Sequence, residues 1–292
     1  MKNLLVLGIL IGMLPILMKL PGFTVYTFGL FLVLALFWSS FFLWKLVRMT
    51  SFKEDDIFDA ILVSGTVALF GGRLVYVILH FSEFGFNPLK FILVNGYPGY
   101  SLYGALLGGG VAYCIYMFIK KIPIKKTLDY IIPPLFLGIA IGKLGAFFSG
   151  AEAGIQTKIF LSTRVIGFSG QRHLTSLYES CMFVCGAFIS YRLLLLIRKE
   201  KIAEGLLGFF FLWFFSAIYL LTDPLKTEKI LLNPYLSFNS VISLCLLLTS
   251  TIVLVYYFRI KIVGTFSHII KTFFSYATHS IKKIRQRAKT TS

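Results

Sequence analysis

The sequence predicts an all-α, polytopic transmembrane helical bundle of seven spans with an additional helix at its N-terminus, and three observations predict it. Of 292 residues 57% are apolar and only 14% are charged, with a mean hydropathy of +0.83. A soluble domain of this size has too little interior to hide that much apolar surface. Apolar stretches near the roughly 20 residues that a spanning helix needs recur at 23–47, 57–81, 101–119, 128–149, 176–197, 205–222 and 239–258. Finally, Lys and Arg alternate between successive connections, as the positive-inside rule requires of a chain that crosses repeatedly.

The elements follow in order. Leu4 to Met18 is short, apolar and preceded by Met1-Lys2, so it reads as an uncleaved anchor or as the core of a signal peptide. Lys19-Leu20-Pro21-Gly22 offers no small-x-small cleavage site, which favours the uncleaved helix. Three domains result: an anchor over 1–22, a transmembrane domain over 23–260 and a basic tail over 261–292. One set of connections, from Lys45 to Lys53, Lys120 to Lys126, Arg198 to Lys201 and the tail from Arg259, holds eighteen cations. The other, with Lys19, Lys90, Lys158, Arg164, Arg172, Lys226 and Lys229, holds seven. The richer set, and with it the C-terminal tail, is expected in the cytoplasm. Phe81 to Tyr100 and Gly150 to Thr175 are then the longest outward segments, the mouth of any site open to the outside.

The formal charge of +17 points to lipid rather than nucleic acid. Its densest run, Lys282-Lys283-Ile284-Arg285-Gln286-Arg287, suits an anionic leaflet, where each cation contributes about 1 kcal/mol. Cys114, Cys181, Cys185 and Cys245 all fall in apolar stretches, with no CxxC pair and no His at ligand spacing; they read as small buried hydrophobes, and neither metal nor cofactor is expected. The glycines from Gly71 to Gly154 are read chiefly as close helix contacts.

In a bilayer the informative residue is the costly one, because a mid-membrane charge costs a few kcal/mol unless it is paired or solvated. Arg73 follows Gly71-Gly72 in the second span, Lys143 lies between Gly142 and Gly145 in the fourth, and Glu179 follows Tyr178 in the fifth. Asp129 and Arg192 stand at cytoplasmic span ends and read as structural. Arg73 and Lys143 each carry a cation beside glycines, room enough for a lipid phosphate that the Arg fork would hold on two oxygens. An internal pair with Glu179 or Glu152 is the other reading. Arg172-His173-Leu174-Thr175-Ser176-Leu177-Tyr178-Glu179 gathers groups that orient a phosphate or move a proton, or that anchor a helix at the interface.

Four blocks, in order, resemble those of the bacterial prolipoprotein diacylglyceryl transferases. Gly71-Gly72-Arg73-Leu74-Val75-Tyr76 resembles the family's G-(A/G)-R-L-x-Y, and Tyr100-Ser101-Leu102-Tyr103-Gly104 through Gly109 is similar to S-F-(H/Y)-G-G-L-x-G-G. Asp129 to Pro134 and Gly142-Lys143-Leu144-Gly145-Ala146-Phe147-Phe148-Ser149-Gly150 resemble D-x-x-x-P-x and G-R-x-G-N-F-x-N-G-E, and Arg172 to Glu179 resembles R-H-P-(S/T)-Q-L-Y-E. The resemblance covers about residues 60 to 180.

It implies an enzyme of the cytoplasmic membrane that moves the diacylglyceryl group of phosphatidylglycerol to the lipobox cysteine thiol of a prolipoprotein signal peptide, releasing glycerol phosphate. Arg73, Lys143 and Arg172 would hold the phosphate. Tyr103, Lys143, His173 and Tyr178 would surround the reacting centre, supported by Tyr76, Gly104, Asp129, Gly145, Ser149, Gly150, Glu152 and Glu179. The chain departs from the pattern at Phe28, Lys143, Ala146, Ser149, Ala151 with Glu152, Leu174 and Ser176, and in the sixth span at Ile218, Thr222 and Asp223, where the family carries an arginine and an acid. Loss of the Arg fork and of two amides is expected to weaken phosphate binding by a few kcal/mol where those groups act in the transition state. The alternative implied is a catalytically altered or inactive relative that binds anionic lipid or lipidated protein.

Overall fold

The structure is a computed structural model that describes residues 13–20, 23–94, 96–97, 99–160, 162–165, 167–227, 231–233 and 236–259. In chain order these form β1 (Ile16–Leu20), β2 (Phe23–Tyr26), α1 (Thr27–Val47), α2 (Glu54–Leu79), α3 (Phe81–Phe84), α4 (Pro88–Ile92), α5 (Leu102–Ile119) and α6 (Ile124–Ser149). Next come β3 (Ser162–Arg164), β4 (Gln171–His173), α7 (Thr175–Arg198), α8 (Leu206–Thr222), a 3-10 turn (Asp223–Leu225), β5 (Leu231–Asn233) and β6 (Leu236–Ser237). The last helix, α9, runs over Phe238–Arg259. Among the described residues seven helices are long and apolar enough to cross a bilayer, and they coincide with the seven expected spans.

The chain divides into two compact units, residues 1–247 and 248–292. Of the second, residues 248–259 are described; they are helical, and the Arg259 guanidinium lies 4.3 Å from the centre of the Tyr256 ring. The expected basic tail lies outside the described residues.

The N-terminus differs from expectation. The helix read over residues 4–18 is not what its last part forms, because Ile16–Leu20 is a strand paired antiparallel with β2. Pro15 has no N–H to give a helix and disfavours a helical Leu14. Its carbonyl instead accepts from the Thr27 amide at 3.1 Å, and the Thr27 hydroxyl donates to the Leu14 carbonyl, so the hairpin is latched to the start of α1. Residues 1–12 of that expectation lie outside the described ones.

Two packing regimes build the bundle. Between α2 and α5 the backbones touch: a Cβ on Gly104 would stand 2.6 Å from the Gly71 carbonyl oxygen, and one on Gly71 would stand 2.9 Å from that of Gly104. Lipid supplies no hydrophobic drive between helices, so close backbone approach of this kind is what lets dispersion hold them. Helix α6, by contrast, is the hub against which α1, α7 and α8 pack. Its fully buried Phe136 meets Phe183, Phe211 and Phe214 at ring-centre distances of 6.1, 5.1 and 5.7 Å, contacts that contribute about 0.5–1.5 kcal/mol each. The four cysteines are exposed on helix surfaces, not buried as expected. In a membrane bundle the lipid-facing surface is itself apolar, and a thiol sits there at little cost.

At one end of the bundle a small antiparallel sheet joins three connections. β3 pairs with β4, and the segment after α6 pairs with β4 on one side and with the segment after α8 on the other, through Gln156 with Arg172 and Gly154 with Lys226. Its amides close the arrangement: Ile155 donates to Leu225 (2.8 Å), Thr227 to Ala153 (3.0 Å), Thr157 to Gln171 (2.9 Å) and His173 to Ile155 (3.1 Å). Residues distant in sequence are thereby fixed beside the ends of α6, α7 and α8.

Candidate functional site

Beneath that sheet two lysines and two glutamates share one cluster. The Lys143 ammonium contacts Glu152 Oε1 and Oε2 at 2.7 and 2.9 Å and Glu179 Oε2 at 2.7 Å. Lys226 contacts the other oxygen of the same Glu179 at 2.6 Å. Both ammonium groups lie over the ring of Tyr219, 5.5 Å and 4.5 Å from its centre, a placement that aids a partly desolvated cation by about 1 kcal/mol. Ser176 donates to Glu152 at 2.9 Å and Thr222 to Glu179 at 2.7 Å. Thus α6, α7, α8 and two loops contribute to one neutral group of four charges.

The two acids differ in freedom. The Glu179 side chain is fully buried, whereas that of Glu152, on the loop after α6, is 35% exposed. Burial acts to raise the Glu152 carboxyl, but Lys143 and Lys226 overcome it and hold the group down at about 2. It is therefore ionised at neutral pH.

Tyr103 of α5 forms one wall, its ring 6.0 Å from those of Phe215 and Tyr219. Its hydroxyl is hydrogen-bonded to Ser243 Oγ and donates to the Asn239 carbonyl at 3.3 Å. Nearby, buried Asp223 accepts from the Ser237 hydroxyl, from Ser240 at 2.8 Å and from Asn239 at 3.3 Å. This ties the end of α8 to the start of α9.

Several expected site residues belong elsewhere. Arg73 does not join Lys143 in a clamp: its Nε, Nη1 and Nη2 donate to the carbonyls of Phe91 (2.9 Å), Gly99 (2.9 Å) and Lys90 (2.8 Å). The planar fork is spent on two carbonyls at the end of the short helix α4 and on one in the irregular segment before α5. Arg172 is likewise a staple, donating through Nη1 to the Gly154 carbonyl and Thr227 Oγ1, both at 3.1 Å, with its guanidinium over Phe168. Asp129 accepts from the amides of Gly205 (2.7 Å) and Leu207 (3.0 Å), capping α8. Fourteen residues of helix separate it from Lys143, about 21 Å along the axis.

Others serve as spacers and walls. Gly104 is a helix contact, and Gly145 faces Phe31, where a Cβ would meet the Phe31 Cβ at 2.3 Å. Gly150 ends α6 at a φ of 69°, the left-handed cap that glycine adopts without penalty. The Ser149 hydroxyl turns back to the Ala146 carbonyl at 3.1 Å, and Tyr76 stacks on His80 at 4.1 Å. His173 and Tyr178 meet edge to face at 6.3 Å, and the buried His173 Nδ1 has no hydrogen-bond partner among the described residues.

Sequence reasoning missed Lys226 and Tyr219. Lys226 was counted only as a loop cation; the available signal was its place three residues past Asp223, directly after an apolar span that holds no charge of its own.

The prolipoprotein diacylglyceryl transferase family model matches residues 15–256. The chain belongs to that family. It is 30% identical over 223 residues to the phosphatidylglycerol–prolipoprotein diacylglyceryl transferase of Clostridioides difficile (strain 630), covering 76% of this chain and 87% of the relative. Those of Enterococcus faecalis (strain ATCC 700802 / V583) and Clostridium novyi (strain NT) are 27% and 26% identical, covering 81% and 82% of this chain and 88% and 95% of their own lengths. As a member of a diacylglyceryl transferase family the chain is a transferase-type membrane protein, and the cluster lies within the matched segment.

Proposed function

We propose that this protein transfers the diacylglyceryl group of phosphatidylglycerol to the lipobox cysteine thiol of a prolipoprotein, at the outer face of the bacterial cytoplasmic membrane. The observation that carries the reading is the pair Lys143 and Lys226, two ammonium groups held on the two oxygens of one buried carboxylate above one tyrosine ring. A phosphate diester entering beside them would exchange hydration for two fixed cations. As the ester oxygen leaves and negative charge grows on it, cations already in position need no reorganisation, and that is where electrostatic catalysis gains most. Lys226 thus takes the part that the sequence alone gave to Arg73.

Tyr103 and Tyr219 would wall the headgroup, while His173 and Tyr178 would stand at the rim, where the signal peptide presents its thiol. Arg73 and Arg172 hold two connections that would flank this mouth, and Asp129, Gly104, Gly145 and Gly150 set the helices on which it would be built. The tail is proposed to face the cytoplasm.

One observation favours the alternative of a lipid-binding relative without activity: the four charges are mutually neutralised, so no cation waits unpaired. Expression in bacteria depleted of their own transferase separates the two. Transfer predicts a lipid-dependent mobility shift of the precursor and restored growth. A protein abundant in the membrane that produces neither shift nor growth would leave only the binding reading.

A further inference from the structure

Resting on the reading above, we infer that Glu152 is the base that accepts the thiol proton, and that the substrate phosphate creates this base by displacing it from Lys143. Three features of the geometry lead there. The Lys143 ammonium is met by both Glu152 oxygens and by one of Glu179, so a phosphate reaches it by taking one of those three places. Of the two acids on Lys143, Glu152 is the one free to leave: it is 35% exposed and sits on a loop, whereas Glu179 is fully buried on α7 between Lys143, Lys226 and Thr222. Once displaced, it remains within a side chain's length of the phosphate that replaced it, which is where the attacking sulfur must come.

The charges that face Glu152 are Lys143 from α6, Lys226 from the segment after α8 and Glu179 from α7, with Tyr219 of α8 beneath and Ser176 donating to it. With Lys143 turned to phosphate, the carboxylate loses its strongest stabilising partner and its proton affinity rises. It then takes the thiol proton while the sulfur attacks the terminal glycerol carbon of the diacylglyceryl group. The C–S bond forms as the C–O bond to phosphate breaks, the electron pair leaves on the glycerol phosphate oxygen, and Lys143 and Lys226 hold the product. Resting neutrality of the cluster is thus a latch that opens only for an anion.

The test uses the full-length protein in nanodiscs, with phosphatidylglycerol and a synthetic lipobox peptide. Glu152→Gln should bind phosphatidylglycerol at least as tightly as wild type, because a competing carboxylate is gone, yet transfer at least 100-fold more slowly. Glu152→Ala should recover part of its rate on addition of formate, and Glu152→Asp should retain more activity than either. Weakened lipid binding in Glu152→Gln, with transfer falling in proportion, would make the residue a structural partner and overturn the inference. A wild-type rate in Glu152→Gln would overturn it equally. Absence of transfer by the wild-type protein itself would instead strike the proposed function.

Discussion

Arg73 and Lys143 occupy similar places in the sequence, each a cation beside glycines in an apolar span, and the protein uses them in opposite ways. Arg73 is 3% exposed and Lys143 9%, so neither is left to water. Arg73 answers to three backbone carbonyls of the loop between α2 and α5, with the Phe84 ring 5.1 Å away. Lys143 answers to two carboxylates that it shares with a second lysine. Neutral carbonyls fix a planar fork in direction and give a permanent clasp. Carboxylates can be exchanged for another anion, which is what the proposed site requires. The difference teaches that burial of a cation does not identify a ligand-binding residue; the chemistry of its resting partners does.

The largest effect is expected where that difference is erased. Lys143→Met leaves two carboxylates facing one lysine, and breaking a buried pair in this way costs about 3–5 kcal/mol. Thermal unfolding in detergent should show the loss, and transfer should fall by about 100-fold or more. Lys143→Arg should keep most of both. Next, Arg73→Ala should lower stability by at least about 3 kcal/mol, because it removes three bonds from a charged donor, each contributing about 1.5–3 kcal/mol. Limited proteolysis should then cut within residues 81–99. Arg73→Lys keeps the charge but not the fork, and should recover about half of that loss.

Smaller effects sharpen the contrast. Asp129→Asn retains acceptor capacity for the α8 amides but loses the charge, and should cost about 1–2 kcal/mol in thermal unfolding. Phosphatidylglycerol affinity should not change, since the cap lies at the far end of α6. The smallest effect is the pH dependence of Glu152. Its folded-state carboxyl is held at about 2, below the usual 4.5, because Lys143 and Lys226 outweigh burial. Its contribution to stability is therefore complete above about pH 4.5 and is lost as pH falls toward 2. The melting temperature of the wild type should decline across that window, and Glu152→Gln should remove that component of the decline.

What the sequence made legible follows from what is local in it. Span length and apolarity are properties of contiguous residues, and the seven spans emerged close to their observed limits. That the glycines make close helix contacts was legible too, because small residues at helical spacing are themselves the mechanism of close approach, although which helices they join was not. An internal pair of Lys143 with Glu152 or Glu179 was one of two open readings, and the structure contains both pairs. Arg73 was not legible, since its partners are carbonyls whose positions depend on the path of a loop. Lys226 was hidden for a similar reason: only the sheet that joins Gly154 to Lys226 brings it back to Lys143.

The departures from the family pattern acquire a sense that no single position carried. Lys143, Ser176 and Thr222 stand where the resemblance implies other residues, Glu152 lies one position beyond the implied acid, and the four are partners within one cluster. A shorter cation at 143 is met by an acid one position later, by a hydroxyl that donates to that acid, and by a hydroxyl on the acid that Lys143 shares with Lys226.

Lys143 and Lys226, not Lys143 and Arg73, are proposed as the cations that meet the lipid phosphate. Phosphatidylglycerol affinity measured in neutral-lipid nanodiscs for Lys226→Met and Arg73→Lys, each folded at the measuring temperature, tests that proposal most directly. Lys226→Met should weaken binding at least tenfold and Arg73→Lys should change it by no more than about twofold. The reverse order would contradict it.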